Sequence, residues 1–168
     1  MAVTMPKIEI DFEQRAGDLA ERSERGIAIL IVRDETSKDF THKQYSDLSA
    51  AQADESLYTA DNYAAICDMM GFAPYQAHIF RVDASGALAD TLAAIGKTVK
   101  TGWIAVAGQN AADGAALAAW VKAQDNTRKK TYKAVCYNLA TAPDDMHVVN
   151  YVNESVTYTD DRGTQDGV

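Results

Sequence analysis

The feature of this sequence that most constrains its fold is a regular alternation of strand-like and helix-like segments. Four short runs with the pattern of strands are separated by three segments whose apolar residues recur at helical spacing. The strand-like runs are Ile27 to Val32, Gln76 to Val82, Gly102 to Ala107 and Tyr132 to Asn138. Because parallel strands need crossover connections, this order predicts an α/β fold with a mostly parallel, Rossmann-like sheet and flanking helices.

Capping residues set the expected limits of the helices. Ser, Thr and Asp side chains favour the position before a helix, and glycine favours its end. The first helix is therefore expected from Thr59 or Asp61 to Met70, the second from Ser85 to Gly96, and the third from Asp113 onward. The polar stretch 34–56 predicts a loop with one short strand or turn at most, and residues 146–159 predict one or two final strands.

The N-terminal segment has a pattern of its own. Ile8, Ile10 and Phe12 alternate with acidic residues, which is the period-two pattern of a strand with one apolar face. No partner strand precedes this segment. It must therefore fold back onto its own sheet or add to the sheet of a neighbouring molecule. Residues 1–22 are interpreted as an N-terminal arm, and residues 23–158 as one α/β domain.

Charge and composition argue against two classes of partner. The net charge is −8, and the basic cluster Arg128 to Lys130 is far smaller than the basic face that a nucleic-acid-binding protein needs. No apolar run reaches the roughly 18 residues of a membrane helix, and the start of the chain does not have the pattern of a targeting signal. Cys67 and Cys136 are far apart in the sequence, which predicts two buried free thiols in a reducing cytoplasm.

Two glycine-containing segments are candidates for ligand binding. Gly96-Lys-Thr is similar to the end of a phosphate-binding loop, but Thr91 stands where that motif requires glycine, so the triplet is interpreted as a helix end. The segment from Gly108 to Gly114 lies between a predicted strand and a predicted helix, where open α/β sheets bind ligands. It lacks the Gly-x-Gly-x-x-Gly spacing. A small-molecule-binding domain or enzyme that uses this segment is the alternative functional hypothesis.

Residues able to hold a metal or perform catalysis are scattered along the chain. His42, His78 and His147 stand singly, without the spacings that zinc sites use. Neither cysteine has a histidine beside it in sequence, and no serine lies in a Gly-x-Ser-x-Gly turn. The sequence therefore predicts no metal site, no cofactor and no catalytic residue, and we expect that the protein is not an enzyme.

Several short strings occur in an order that resembles one known family. They are the Pro-x-Ile-x-Ile-x-Phe start at Pro6, the Arg-x-x-Arg-Gly-Ile-Ala-x-Leu-Ile run from Arg22 to Ile31, the Ala-x-Trp-Val-Lys run from Ala118 to Lys122, and the run from Lys130 to Val135. In this order and at this spacing, the sequence is similar to the tail sheath proteins of contractile bacteriophage tails and related injection machines. The likeness covers roughly residues 5 to 158, and none of the strings is a catalytic signature.

The resemblance implies a structural role in a virion tail. Family members polymerise around a tail tube, join the baseplate, and contract to drive the tube through a cell envelope. The implied partners are other sheath subunits, the tail tube protein and the baseplate, and the implied locations are the virion tail and, during assembly, the host cytoplasm. Residues 5–13 match the family's N-terminal arm, so Ile8, Ile10 and Phe12 are expected to make the inter-subunit contact. Residues 159–168 are expected to be an acidic tail or a linker toward a further C-terminal domain.

Overall fold

A computed structural model describes residues 26–159 and 161–166. The predicted N-terminal arm, with Ile8, Ile10 and Phe12, lies outside the described residues. The described part contains eight strands and four α-helices. They are β1 (Ile27–Arg33), β2 (His42–Tyr45), α1 (Leu48–Ala53), α2 (Ala60–Gly71), β3 (Gln76–Val82), α3 (Leu88–Thr98), β4 (Gly102–Val106), α4 (Ala111–Arg128), β5 (Tyr132–Tyr137), β6 (Val148–Tyr151), β7 (Ser155–Thr157) and β8 (Thr164–Asp166).

Six of these strands form one twisted sheet in the order β2-β3-β1-β4-β5-β6. Strand β2 runs antiparallel to β3, and every other neighbouring pair is parallel. The chain first adds β3 on one side of β1 and then adds β4, β5 and β6 on the other side. The sheet is therefore doubly wound, with its topological switch point between β1 and β4. The predicted α/β fold with a mostly parallel sheet is confirmed.

Two hydrophobic cores lie on opposite faces of the sheet. The first core joins alternate residues of β1, β3, β4 and β5 to helices α3 and α4. The second core joins the intervening residues of β1 and β3 to helices α1 and α2. Ile31 and Val32 are fully buried on opposite faces. Burial on both faces explains why β1 is apolar from Ile27 to Val32 and lacks the polar alternation of a half-exposed strand.

Beyond β1, the second core reaches only Ala105 and Ala107 at the end of β4, which leaves part of one sheet face exposed. Trp103 of β4 lies opposite Lys133 of β5, and Val135 of β5 lies opposite Val149 of β6, so all four side chains point to the same side of the sheet. Trp103, Val135 and Val149 remain 44%, 37% and 46% exposed. We call these four residues the open face.

Glycine is required where β1 and β4 meet at the start of the sheet. Gly102 has a φ of +147°, and a Cβ atom there would lie 2.9 Å from the carbonyl oxygen of Ile27. A side chain would therefore be strained by the backbone conformation and would also collide with main-chain atoms of β1. This glycine lets the first residues of the two strands approach closely, beside Trp103.

Two expected helix starts were wrong. Helix α3 begins at Leu88, with Ala87 before it and no side-chain capping bond, so Ser85 does not cap it. Gly96 lies inside this helix, which continues to Thr98. Helix α4 begins at Ala111, because the Asn110 side chain accepts a hydrogen bond from the backbone N–H of Asp113. The carboxylate of Asp113 is consequently free for a long-range contact.

The structure also contains elements that the sequence did not indicate. Helix α1 lies in the stretch predicted as a loop, and Asp47 caps it by accepting from the N–H of Ala50. Strand β8 pairs with β7 as an antiparallel hairpin, within the segment interpreted as a tail or linker. Arg162 of this hairpin donates two hydrogen bonds, of 2.8 and 2.7 Å, to the Asp68 carboxylate of α2.

Candidate functional site at the carboxyl edge of the sheet

The strands β1, β3 and β4 end at the same carboxyl edge of the sheet, and open α/β sheets usually hold a ligand at this edge, beside the switch point between β1 and β4. A cleft of about 520 Å³ lies there between the first turns of α3 and α4. Its polar lining comes from Arg33, Asn110 and Asp113, and its apolar lining includes Leu88 and Trp120. The Gly108–Gly114 segment, which the sequence singled out, forms the β4–α4 connection and the first turn of α4 on one side of this cleft. It is therefore the natural place to test for a binding site.

Arg33, at the end of β1, is held entirely by groups of the protein itself. Its Nε and Nη2 atoms donate to the two carboxylate oxygens of Asp113 at 3.0 and 2.7 Å. Its Nη1 atom donates to the carbonyl oxygens of Asp83, Ala84 and Gly86 at 3.0 to 3.1 Å. The guanidinium group thus joins the β3–α3 loop to the first turn of α4. This geometry makes Arg33 a structural clamp, since its donors already face internal acceptors.

The Gly108–Gly114 segment is held by its own side chains as well. Gln109 is buried, and its Oε1 atom accepts a 2.8 Å hydrogen bond from the N–H of Tyr137 in β5. Its Nε2 atom lies over Gly114, and a Cβ atom added at Gly114 would be only 2.4 Å from this nitrogen. That buried Nε2 has no hydrogen-bond acceptor among the described residues. Because it points at the helix backbone and Gln109 does not line the cleft, it offers no contact to a ligand there.

Asp34 ties the end of β1 to the start of α2. Its Oδ2 atom accepts from the N–H of Thr59 at 2.8 Å and from the Asn62 side chain at 2.7 Å, and its Oδ1 atom accepts from the N–H of Thr36 at 2.8 Å. The residue is only 1% exposed. Burial alone raises the pKa of this carboxyl, but these hydrogen bonds to its charged form outweigh burial and lower the pKa to about 2.

Arg81 completes this polar layer from β3. Its Nη1 atom donates to the carbonyl oxygen of Asp34 at 2.8 Å and to the Asp83 carboxylate at 2.7 Å, and its Nε atom donates to the carbonyl oxygen of Phe40 at 3.0 Å. Arg81 is 9% exposed. The carboxyl edge of the sheet therefore carries two arginines and their acidic partners, and these groups bond to one another and to the loops above the strands.

A pair of histidines lies away from this edge and was not predicted. His42 of β2 and His78 of β3 are joined by a 2.9 Å contact between Nε2 and Nδ1, with their rings stacked. Burial lowers the pKa of both side chains, and the neighbouring His42 lowers that of His78 further. Both rings are thus favoured in the neutral form, in which one nitrogen donates and the other accepts. No local sequence pattern indicates this pair, because its members are 36 residues apart.

The remaining candidates occupy structural positions. Gly96, Lys97 and Thr98 form the last turn of α3, whereas a phosphate site needs the first turn of a helix. Cys136 is buried, and burial raises its pKa to about 11, so the thiolate is disfavoured. The prediction for Cys67 was wrong in part, because its thiol is free but only half-buried.

Two further features are absent from the part of the chain that the structure describes. Within residues 26–159 and 161–166, no three His, Cys, Asp or Glu side chains are grouped so as to hold a metal ion. In the same part of the chain, none of the helices has the length and apolar character needed to cross a bilayer.

No model of a known protein family matches the chain, and a search of the curated proteins gave no significant match.

Proposed function

We propose that this protein is a structural subunit of a contractile tail sheath, which polymerises around a tail tube and contracts to drive it through a cell envelope. The proposal of a tail sheath protein is based on the sequence resemblance. Three of its four matching strings overlap β1, α4 and β5, which pack together in the first core through residues such as Ile31, Val121 and Tyr132. The resemblance therefore follows a set of residues that are in mutual contact.

The observation that carries the structural role is the internal pairing at the carboxyl edge. In a ligand-binding α/β domain, polar groups at the switch point must be left available for the ligand. Here Arg33 and Arg81 donate to carbonyl and carboxylate oxygens of their own domain. This arrangement favours a protein that works through its outer surfaces over one that works through a cleft.

The proposed assembly contact is the N-terminal arm, through Ile8, Ile10 and Phe12. A strand with one apolar face can add to a sheet edge of a neighbour, and its apolar residues then bury against that neighbour. Deleting residues 1–14 is expected to abolish concentration-dependent oligomers, rings or tubes while leaving the circular dichroism spectrum of the α/β domain unchanged. Sedimentation velocity and negative-stain electron microscopy, across protein and salt concentrations, measure this directly.

Two double variants distinguish the contribution of the arm's apolar face to assembly from that of its charged face. Ile8→Asp combined with Ile10→Asp should have the same effect as the deletion, because both apolar contacts are lost. Glu9→Gln combined with Glu13→Gln, on the opposite face of the same predicted strand, should leave assembly largely intact. Oligomers that persist unchanged in the deletion variant would show that the arm does not make the contact.

The second candidate function is ligand binding in the cleft beside the Gly108–Gly114 segment. The observation in its favour is the position of this 520 Å³ cleft at the switch point of the sheet. Calorimetric titration with nucleotides and acidic metabolites tests it. Saturable binding that is lost in an Asn110→Ala variant would favour this function over the structural role.

A further inference from the structure

The cations of the described domain are concentrated at the amino ends of β4 and β5. Two segments, residues 96–103 and 125–133, contain the connections from α3 to β4 and from α4 to β5. Together they carry six cations and one anion, Asp125, and so have a net charge of +5 in a chain whose net charge is −8. The cations are Lys97, Lys100, Arg128, Lys129, Lys130 and Lys133. We call these two segments the basic end.

The opposite, carboxyl edge of the sheet is acidic. It is formed by the loops that follow β1, β3 and β4 and by the first turns of α2 and α3, in residues 33–41, 59–62, 81–90 and 108–113. These segments carry seven carboxylates and three cations, a net charge of −4. The carboxylates are Asp34, Glu35, Asp39, Asp61, Asp83, Asp90 and Asp113, and the cations are Arg33, Lys38 and Arg81. We call these segments the acidic end.

The two segments of the basic end form one continuous surface. The Thr101 hydroxyl donates a 3.0 Å hydrogen bond to the carbonyl oxygen of Thr131, and the Lys130 ammonium group donates to the carbonyl oxygen of Gly96. Lys100 and Lys129 are exposed, and neither side chain forms an ion pair with any residue in the described part of the chain. Their charges therefore face outward.

Helix ends account for only part of this charge distribution. Cations in the last turn of a helix offset a partial negative charge of about half a unit, and anions in the first turn offset the corresponding positive charge. Two helices, α3 and α4, end at the basic end, which offsets about one unit of its charge. Three helices begin at the acidic end, which offsets about 1.5 units there. Most of the charge at both ends is thus left to interact with something outside the domain.

Exposed aromatic side chains lie beside the basic end. Trp103, which belongs to both the open face and the basic end, and Tyr75 line a depression of about 330 Å³ together with Lys133. Tyr75 is 41% exposed, and Phe72, in the same connection from α2 to β3, is 80% exposed. Aromatic residues are enriched in protein–protein interfaces, where they often anchor the contact. This surface therefore combines charge with the composition of a protein-binding surface.

We propose that the basic end binds the acidic end of a second copy of this chain, head to tail. The charges of the two ends are complementary, and complementary charges orient two proteins as they meet. Because the two ends lie at opposite edges of a mostly parallel sheet, one molecule can make both contacts, and the contact can repeat from copy to copy. A nucleic acid would match the basic end alone and would be repelled by the rest of an acidic chain.

The proposal goes beyond the sheath assignment and does not rest on it, because it uses only the charges of the described domain. Sedimentation velocity of the full chain tests it. All proteins in the test carry Ile8→Asp and Ile10→Asp, so that the arm does not contribute to assembly. In this background we expect association that rises with protein concentration in 0.1 M salt. It should weaken at least tenfold in 1 M salt, because the screening length falls from about 10 Å to about 3 Å.

Two double variants test the two ends separately. Lys100→Glu combined with Lys129→Glu, and Asp39→Lys combined with Asp90→Lys, should each weaken association at least tenfold. All four residues are exposed, so the circular dichroism spectra should match that of the background protein. The Asp39 and Asp90 variant also makes the chain less negative by four units, so general repulsion between acidic molecules would predict stronger association. An equimolar mixture of the two variants should associate again, because each retains the end that the other has lost.

A background protein that stays monomeric in 0.1 M salt up to about 0.5 mM would overturn the proposal. Weakening in the Lys100 and Lys129 variant alone, with the Asp39 and Asp90 variant unchanged, would also overturn it, since the acidic end would then not be the partner. Saturable binding of a fluorescent single-stranded DNA of 20 nucleotides, lost in the Lys100 and Lys129 variant, would identify a nucleic acid as the occupant instead. The sheath proposal would fail differently, through assembly that does not respond to the arm variants when both ends are intact.

Discussion

Replacing Asp34 by asparagine is expected to lower the free energy of unfolding by about 3 kcal/mol at neutral pH, because the amide nitrogen places a donor where the carboxylate accepts. Asp34 accepts from two backbone N–H groups and from Asn62. In the variant, at least one of these buried donors loses its acceptor. Urea denaturation followed by circular dichroism measures the loss, and Asp39→Asn, a change at an exposed carboxylate in the following loop, should cost little.

The same residue predicts a pH dependence of known sign. Folding lowers the pKa of Asp34 from 3.8 to about 2, so the folded protein binds this proton less readily than the unfolded chain. The contribution of Asp34 to the free energy of unfolding is fully present above about pH 4 and is lost as the pH falls toward 2. The contribution is about 2 kcal/mol, since each pKa unit corresponds to about 1.4 kcal/mol.

Measuring unfolding at a series of pH values in both proteins isolates this contribution. The difference in stability between the parent and the Asp34→Asn variant should shrink by about 2 kcal/mol between pH 5 and pH 2. A difference that stays constant over this range would mean that Asp34 is not ionised against the Asn62 and Thr59 donors in the folded protein.

The second large effect is expected at the Arg33 clamp. Arg33→Ala should cost about 3 kcal/mol, because it leaves the nearly buried Asp113 carboxylate without its cation and removes the Arg33 donor from three carbonyl groups. Asp113→Ala should cost less, since Arg33 then keeps its three carbonyl acceptors. Arg33→Lys should recover little, because one ammonium group cannot reproduce the forked contacts.

A double-mutant cycle with Asp113→Ala measures the coupling between the two side chains, which we expect to be about 1 to 3 kcal/mol. The exposed ion pair between Glu35 and Lys38 provides a matched control, since Lys38 is 62% exposed. Lys38→Ala should change stability by less than about 0.5 kcal/mol. Additive effects of Arg33→Ala and Asp113→Ala would contradict the clamp.

The local patterns of the sequence were sufficient for the main elements of the fold. The continuous apolar run of β1 and the apolar stripe of α2 each depend on neighbouring residues, and both elements were predicted close to their observed limits. The capping of α4 was missed because Asn110 and Asp113 are both good caps, and only the long-range partner Arg33 decides between them. Local sequence does not contain that information.

The polar layer at the carboxyl edge could not be predicted for the same reason. Arg33 and Asp113 are 80 residues apart, and Asn62 and Asp34 are 28 apart. Each bond depends on the order of strands in the sheet, which places the ends of β1, β3 and β4 together. The sequence correctly indicated the Gly108–Gly114 segment as part of this edge, but not that its side chains are used internally.

The two edges of the sheet differ in their capacity to accept another strand. Strand β2 at one edge has four residues, contains Lys43 and runs against the direction of the others, which are features that discourage further pairing. Strand β6 at the opposite edge has two valines and a tyrosine among its four residues. These features favour strand addition at β6 over β2. If two copies paired through their β6 strands, the contact would be symmetric and would end at a dimer. If each copy instead supplied a separate segment to β6 of the next copy, the contact would repeat head to tail and the assembly could continue to grow.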